Sequence, residues 1–169
     1  MRPTALIVHC SDSTWGSAKE IDRWHAERGF VRQGVHELQH IGYHRVITNG
    51  FLEGSQPHQY RAHEDGRVYL GRDDNETGAH VQGLNDSSLG ICLVGKDGIF
   101  TERQLDAMYL TLLALMRSYD LGPEAVLGHC ETKTGRAQGK TCPTLDMVTV
   151  RNKLRDLEGL VKRALEVPK

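Results

Sequence analysis

The sequence predicts an α/β fold with one mixed central β-sheet flanked by helices, and three observations carry that expectation. Ala5-Leu6-Ile7-Val8 and Leu89-Gly90-Ile91-Cys92-Leu93-Val94 are continuous apolar runs of strand length, the pattern of strands covered on both faces. Leu105, Met108, Tyr109, Leu112, Leu113 and Met116 recur at helical spacing over more than three turns. Strand-like and helix-like segments alternate along the chain, the order of a layered α/β domain. At 169 residues, a single domain spanning 1–169 is expected.

The first strand is predicted from Thr4 to about Cys10, followed by a polar loop, Ser11 to Gly16. Ser17-x-x-Glu20 then reads as a capping box opening a helix with Ala18, Ile21, Trp24 and His25 on one face and Gly29 beyond its end. Gly42 to Ile47 alternates as a half-buried strand, and Asn49-Gly50 marks a turn. Residues 50–66 read as a loop or elaborated hairpin containing Pro57, His58 and His63, from which a short strand, Arg67 to Leu70, emerges. Residues 52–64 are expected to be removable without loss of the fold. Leu89 to Val94 is the central strand. Thr101-x-x-Gln104 opens the clearest helix, which Gly122-Pro123 stops. A strand through Leu127 delivers His129, residues 131–141 form a loop, and a last helix starts near Asp146 with Met147, Val150, Leu154 and Leu157 inward.

Composition narrows the function classes. A net charge of −1 and a pI near 6.7 do not suit a nucleic-acid binder. No apolar stretch approaches the roughly 20 residues of a membrane span. Met1-Arg2-Pro3-Thr4 leads straight into the first strand with no signal peptide, which predicts synthesis in the cytoplasm. Four cysteines, Cys10, Cys92, Cys130 and Cys142, are too few for a disulfide scaffold and fit a reducing compartment. Strand alternation predicts that Cys10 and Cys130 face away from whatever their histidine neighbours bind.

The chemistry lies in residues far apart in the chain. His9 and His129 each follow a short apolar run, where open α/β sheets place their ligands. With Cys142 they make two imidazoles and a thiolate, a Zn2+ set that leaves one coordination position for water, the ligand count of a catalytic zinc. Spacing alone leaves open that these are packed core residues. Lys140, two positions before Cys142, would point the same way in an extended segment and could hold an oxyanion. Tyr43 offers a phenol at a strand start.

Together these residues resemble the type 2 N-acetylmuramoyl-L-alanine amidases of the zinc-amidase and peptidoglycan-recognition superfamily, and the small phage amidase-lysozymes within it. The resemblance runs from Ile7 to about Met147. It rests on Val8-His9-Cys10-Ser11, Ile21-Asp22-Arg23-Trp24-His25, Gly42-Tyr43-His44, Gly71-Arg72-Asp73, Gly78-Ala79-His80, the Asn85 to Gly95 segment, and Gly128-His129 through Lys140-Thr141-Cys142-Pro143, in the family's order. It implies one zinc per chain on His9, His129 and Cys142, with Tyr43 and Lys140 as the catalytic pair. It also implies hydrolysis of the amide joining N-acetylmuramic acid to L-alanine in bacterial peptidoglycan. His80 and Asn85 are candidates to bind substrate.

Three departures stand out: Cys130 follows the ligand His129 where the phage enzymes commonly carry a second histidine, the loop from Thr132 to Gly139 before Lys140 is longer than in the compact phage enzyme, and 50–66 is an insertion relative to it. His25 is expected to pack beside Trp24, whereas His36, His40, His44, His58 and His63 are read as surface or loop residues. The basic C-terminal helix is read as a solvated face. The leading expectation is a monomeric phage or prophage endolysin, released to the wall by a separate membrane-permeabilising holin. The alternatives are a cytosolic muropeptide-recycling amidase and a non-catalytic peptidoglycan-binding or regulatory protein.

Overall fold

The computed structural model describes residues 2–54 and 59–166, so Pro57 and His58, read as loop residues, lie outside the described residues. Five strands, β1 (Ala5–Cys10), β2 (Arg45–Phe51), β3 (Tyr60–Leu70), β4 (Ser88–Leu93) and β5 (Val126–Gly128), form one sheet in the order β3-β2-β4-β1-β5. β1 runs parallel to β4 and β5, and β2 parallel to β4; β3 is antiparallel to β2, making the sheet mixed as predicted. The helices are α1 (Ala18–Glu27), α2 (Glu102–Tyr119), α3 (Lys133–Ala137) and α4 (Met147–Glu166).

Alternate residues of β1 serve two cores. Leu6 and Val8 join Ile47, Leu89, Ile91 and Leu93 beneath Met108, Leu112 and Met116 of α2 and Met147, Val150 and Leu154 of α4. Ala5 and Ile7 face the opposite layer with Val81 and Leu127, beside a cluster of Val46, Cys92 and Val94 under Ala18 and Ile21 of α1. Leu6, Ile7, Ile91 and Leu93 are fully buried, each stabilising the fold by roughly 1.5–3 kcal/mol. His9 shares the parity of Ala5 and Ile7 and so emerges on the α1 side.

The helix signals behave as their chemistry requires. Thr101 Oγ1 accepts from Gln104 N–H at 3.0 Å and Gln104 Oε1 accepts from Thr101 N–H at 3.1 Å, closing the capping box. Gln104 Nε2 also donates to Ile47 and Val94 carbonyls, tying the start of α2 to the interior of β2 and the end of β4. Ser17 caps α1 through Glu20 N–H, but the Glu20 carboxylate turns to Arg23 instead of completing a box. α2 ends at Asp120, in the left-handed region at φ 56°, before the expected Gly122-Pro123 stop.

Several expectations need correction. β2 is buried from Val46 to Gly50 because β3 and β4 flank it and helices cover both faces, so it does not alternate. Asn49-Gly50 is no turn; it lies inside β2, where Gly50 at φ +84° marks a register shift against β3. β3 starts at Tyr60, not Arg67, and carries buried Glu64, whose carbonyl accepts from Thr48 Oγ1. Deleting 52–64 would therefore remove about half of a paired strand. The 131–141 segment contains α3. Arg151 of α4 is not on a solvated face: it forms a two-pronged ion pair with Glu131 and donates to the Val126 carbonyl. No described helix is long and apolar enough to cross a membrane.

Candidate active site

The β1–β5 pairing explains why His9 and His129 meet. Leu127 lies opposite Ile7 in the parallel register, so residues 9 and 129 follow their strands onto the same side of the sheet. Their rings lie 4.7 Å apart, centroid to centroid. Cys142 crosses the same edge, held by Cys10 N–H donating to its Sγ at 3.1 Å and by Cys130 N–H donating to its carbonyl at 2.8 Å. The ligand-capable atoms of His9, His129 and Cys142 all lie within 4.8 Å of one another, and Cys142 Sγ is 4.0 Å from His9 Nδ1. Tetrahedral zinc with ordinary Zn–S and Zn–N bonds requires edges of roughly 3.6 Å. The set therefore fits such an ion after small side-chain movements, and its borderline-soft donors suit zinc.

The surroundings keep the imidazoles neutral, as ligation requires. Burial first, and then the neighbouring His80, His129 and His25, hold His9 well below the ordinary histidine value. Burial and the Lys140 cation lower His129. The Cys10 and Cys142 thiols share a hydrogen bond that brings Cys10 down to about 7 and pushes Cys142 up. One negative charge per pair is favoured, and a dication beside Cys142 would draw it there.

These residues face a cleft of about 390 Å³ lined by His9, His129, Cys142, Tyr43, Lys140 and Arg28 among others. Tyr43 sits 5.1 Å from His9, ring to ring. Its approach is fixed by backbone anchors: Asp22 Oδ1 accepts from His40 and Ile41 N–H, and His25 Nδ1 accepts from Gly42 N–H at 2.9 Å. Arg72 is buried and donates through Nε to the Ile41 carbonyl at 2.7 Å. At Gly42 a Cβ would meet the Ala79 carbonyl at 2.2 Å, so only glycine passes. Burial raises the Tyr43 phenol well above its ordinary value, keeping it a proton donor. Lys140 is exposed and its N–H donates to the Gly135 carbonyl at 2.9 Å, anchoring it to α3. Thr132 at the α3 N-terminus donates through Oγ1 to the His129 carbonyl at 2.8 Å, so α3 also braces His129.

His80 and Asn85 stand behind the cleft, outside its lining. His80 Nδ1 is 3.1 Å from His9 Nε2, and Asn85 Oδ1 accepts from the N–H groups of His80 and Val81 at 2.8 Å each. Cys10 does not turn away as expected: at the last position of β1 it lines the cleft, and its side chain meets that of Cys142 where the chain crosses the sheet edge. His44, read as a surface residue, is fully buried: Gly90 N–H donates to its Nδ1 at 3.0 Å, and its Nε2 faces the Glu76 carbonyl. His25 packs on its helix face as expected. Arg28 was not anticipated; as the residue capping α1 it carries no sequence signal for the cleft.

The family model described as N-acetylmuramoyl-L-alanine amidase matches residues 1–145. The endolysin of Escherichia phage T7 is 31% identical over 154 residues, covering 85% of this chain and 82% of that protein. The endolysin of Klebsiella phage KP32 is 28% identical over 152 residues, covering 84% and 81%. Among solved structures, the N-acetylmuramoyl-L-alanine amidase LysC of Clostridium intestinale URNW superposes with a TM-score of 0.70 at 21% identity, over 92% of this chain and 87% of that one, a likeness of fold. The chain belongs to the N-acetylmuramoyl-L-alanine amidase family, and it is an enzyme of that kind.

Proposed function

We propose that this chain is a zinc-dependent lytic amidase that cleaves the bond between the lactyl group of N-acetylmuramic acid and L-alanine in bacterial peptidoglycan. The observation that supports this reading is the convergence of His9, His129 and Cys142 with Tyr43 and Lys140 on one cleft. His9, His129 and Cys142 would hold the ion, which supplies a Lewis acid and an acidified water when bound. Lys140 faces the cleft as a cation and stabilises the negative charge that develops on the scissile carbonyl oxygen. Tyr43, protonated and half-buried beside His9, donates to the same oxygen or passes a proton to the departing L-alanine amine.

Lys140→Ala is expected to keep zinc and fold while losing on the order of 100- to 1000-fold in turnover. Steady-state release of amine from purified sacculi measures this; turnover within a fewfold of wild type would remove Lys140 from the chemistry. The likeness to phage endolysins supports a lytic role, exercised by a monomer after a holin opens the inner membrane. Preference for intact sacculi over soluble anhydro-muropeptides is the expected result; the reverse preference would indicate a recycling enzyme.

A further inference from the structure

We propose that His80 is a positioning residue for the metal site: it accepts the Nε2–H of His9 and thereby presents the His9 Nδ1 lone pair toward Cys142 and His129. The inference rests on the metal-site reading above and adds a supporting residue to it. The hydrogen-bond directions follow from an acceptor that cannot donate. His80 Nε2 faces the Ser88 carbonyl at 3.4 Å, so that nitrogen carries the proton. In a neutral ring Nδ1 is then an acceptor, and it stands 3.1 Å from His9 Nε2. His9 must supply the proton there, which leaves its Nδ1, 4.0 Å from Cys142 Sγ, as the free donor atom. Ligating histidines are commonly oriented through their second nitrogen by a carboxylate or carbonyl; here another imidazole takes that place.

The slot around His80 is shaped for this ring. A Cβ on Gly78 would meet His80 Cδ2 at 2.4 Å, and one on Gly90 would meet its Cγ at 2.6 Å. His44 closes the slot edge-on, 5.6 Å from His80 between ring centroids, and is itself fixed by Gly90 N–H. Asn85 pins the backbone of His80 from the other side. The glycines and Asn85 in the Gly78-Ala79-His80 and Asn85–Gly90 segments thus serve one purpose, to seat an imidazole behind His9.

The test compares His80→Asn with His80→Leu, side chains of similar size that differ in whether an acceptor oxygen stands near the position of Nδ1. Zinc affinity is read by competition with a chromophoric chelator, and folding of the metal-free proteins by circular dichroism and urea denaturation. The expected result is a 10- to 100-fold weaker zinc affinity for His80→Leu, most of it restored in His80→Asn. Gly90→Ala, which pushes the ring out of its slot, should resemble His80→Leu. Wild-type affinity in a folded His80→Leu, or equal loss in both variants, would overturn the proposal. If the wild-type chain takes up no zinc, the metal-site reading fails along with it, an outcome distinguishable from the first two.

Discussion

Cys142→Ser is expected to abolish stoichiometric zinc binding and, with it, nearly all amidase turnover. A hydroxyl is a poor zinc ligand beside a thiolate, and removing it leaves only His9 and His129. The loss should exceed the 10- to 100-fold typical of an outer-sphere partner. The fold should survive, because the serine hydroxyl can still accept the Cys10 N–H that now reaches Cys142 Sγ, and Pro143 still packs over Gly128. Metal content after dialysis, measured beside thermal unfolding, separates the two effects. A folded Cys142→Ser protein that retains one zinc per chain would take Cys142 out of the site.

The metal-free protein is expected to lose about 4 kcal/mol of stability between pH 7.5 and pH 5 from two histidines alone. Burial brings His25 down to about 4 and His80 down to about 3. An unfolded histidine titrates near 6.5. Above that value neither state binds a proton at these positions and the full stability is present. Below it the unfolded chain takes up protons that the folded chain refuses, so stability falls as the pH drops from 6.5 toward the folded values. At pH 5 each group contributes about 2 kcal/mol of loss. His44, also lowered by its burial, adds in the same direction. Carboxylates lowered in the fold, such as Glu76 and Glu131, act mainly at more acidic pH. Urea denaturation at the two pH values, in the presence of chelator, measures the effect; equal stabilities would mean that these imidazoles are hydrated in the folded protein.

What was legible in the sequence follows from which signals are local. The apolar runs of β1 and β4 and the capping box at Thr101 announce themselves, since burial on both faces and an N-cap each leave a short pattern. Asn49-Gly50 misled because a turn dipeptide also suits a bulge, where Gly50 meets the Tyr60 ring inside a paired strand. The proposed metal ligands could be picked out from where their strands end, but their meeting depends on the β1–β5 register, which no local pattern encodes. The support behind them was less visible. His44 looks like any polar strand residue, and its burial comes from the 71–78 loop folding over it, braced by Arg72 and Glu76. His80 and Asn85 are candidates for the cleft or for turn packing by their motif; their contacts with His9 and with the loop backbone, seen only in the fold, set His80 against His9 and Asn85 against the His80 and Val81 N–H groups. Arg28 enters the cleft only because α1 ends there.

The central claim, an amidase that works through a metal at His9, His129 and Cys142, is tested most directly by release of free amino groups from purified sacculi, with and without chelator and with zinc added back. New L-alanine amino termini without new reducing sugar are expected, abolished by the chelator and restored by zinc. Release indifferent to the chelator, or none from a protein that holds one zinc per chain, would contradict it.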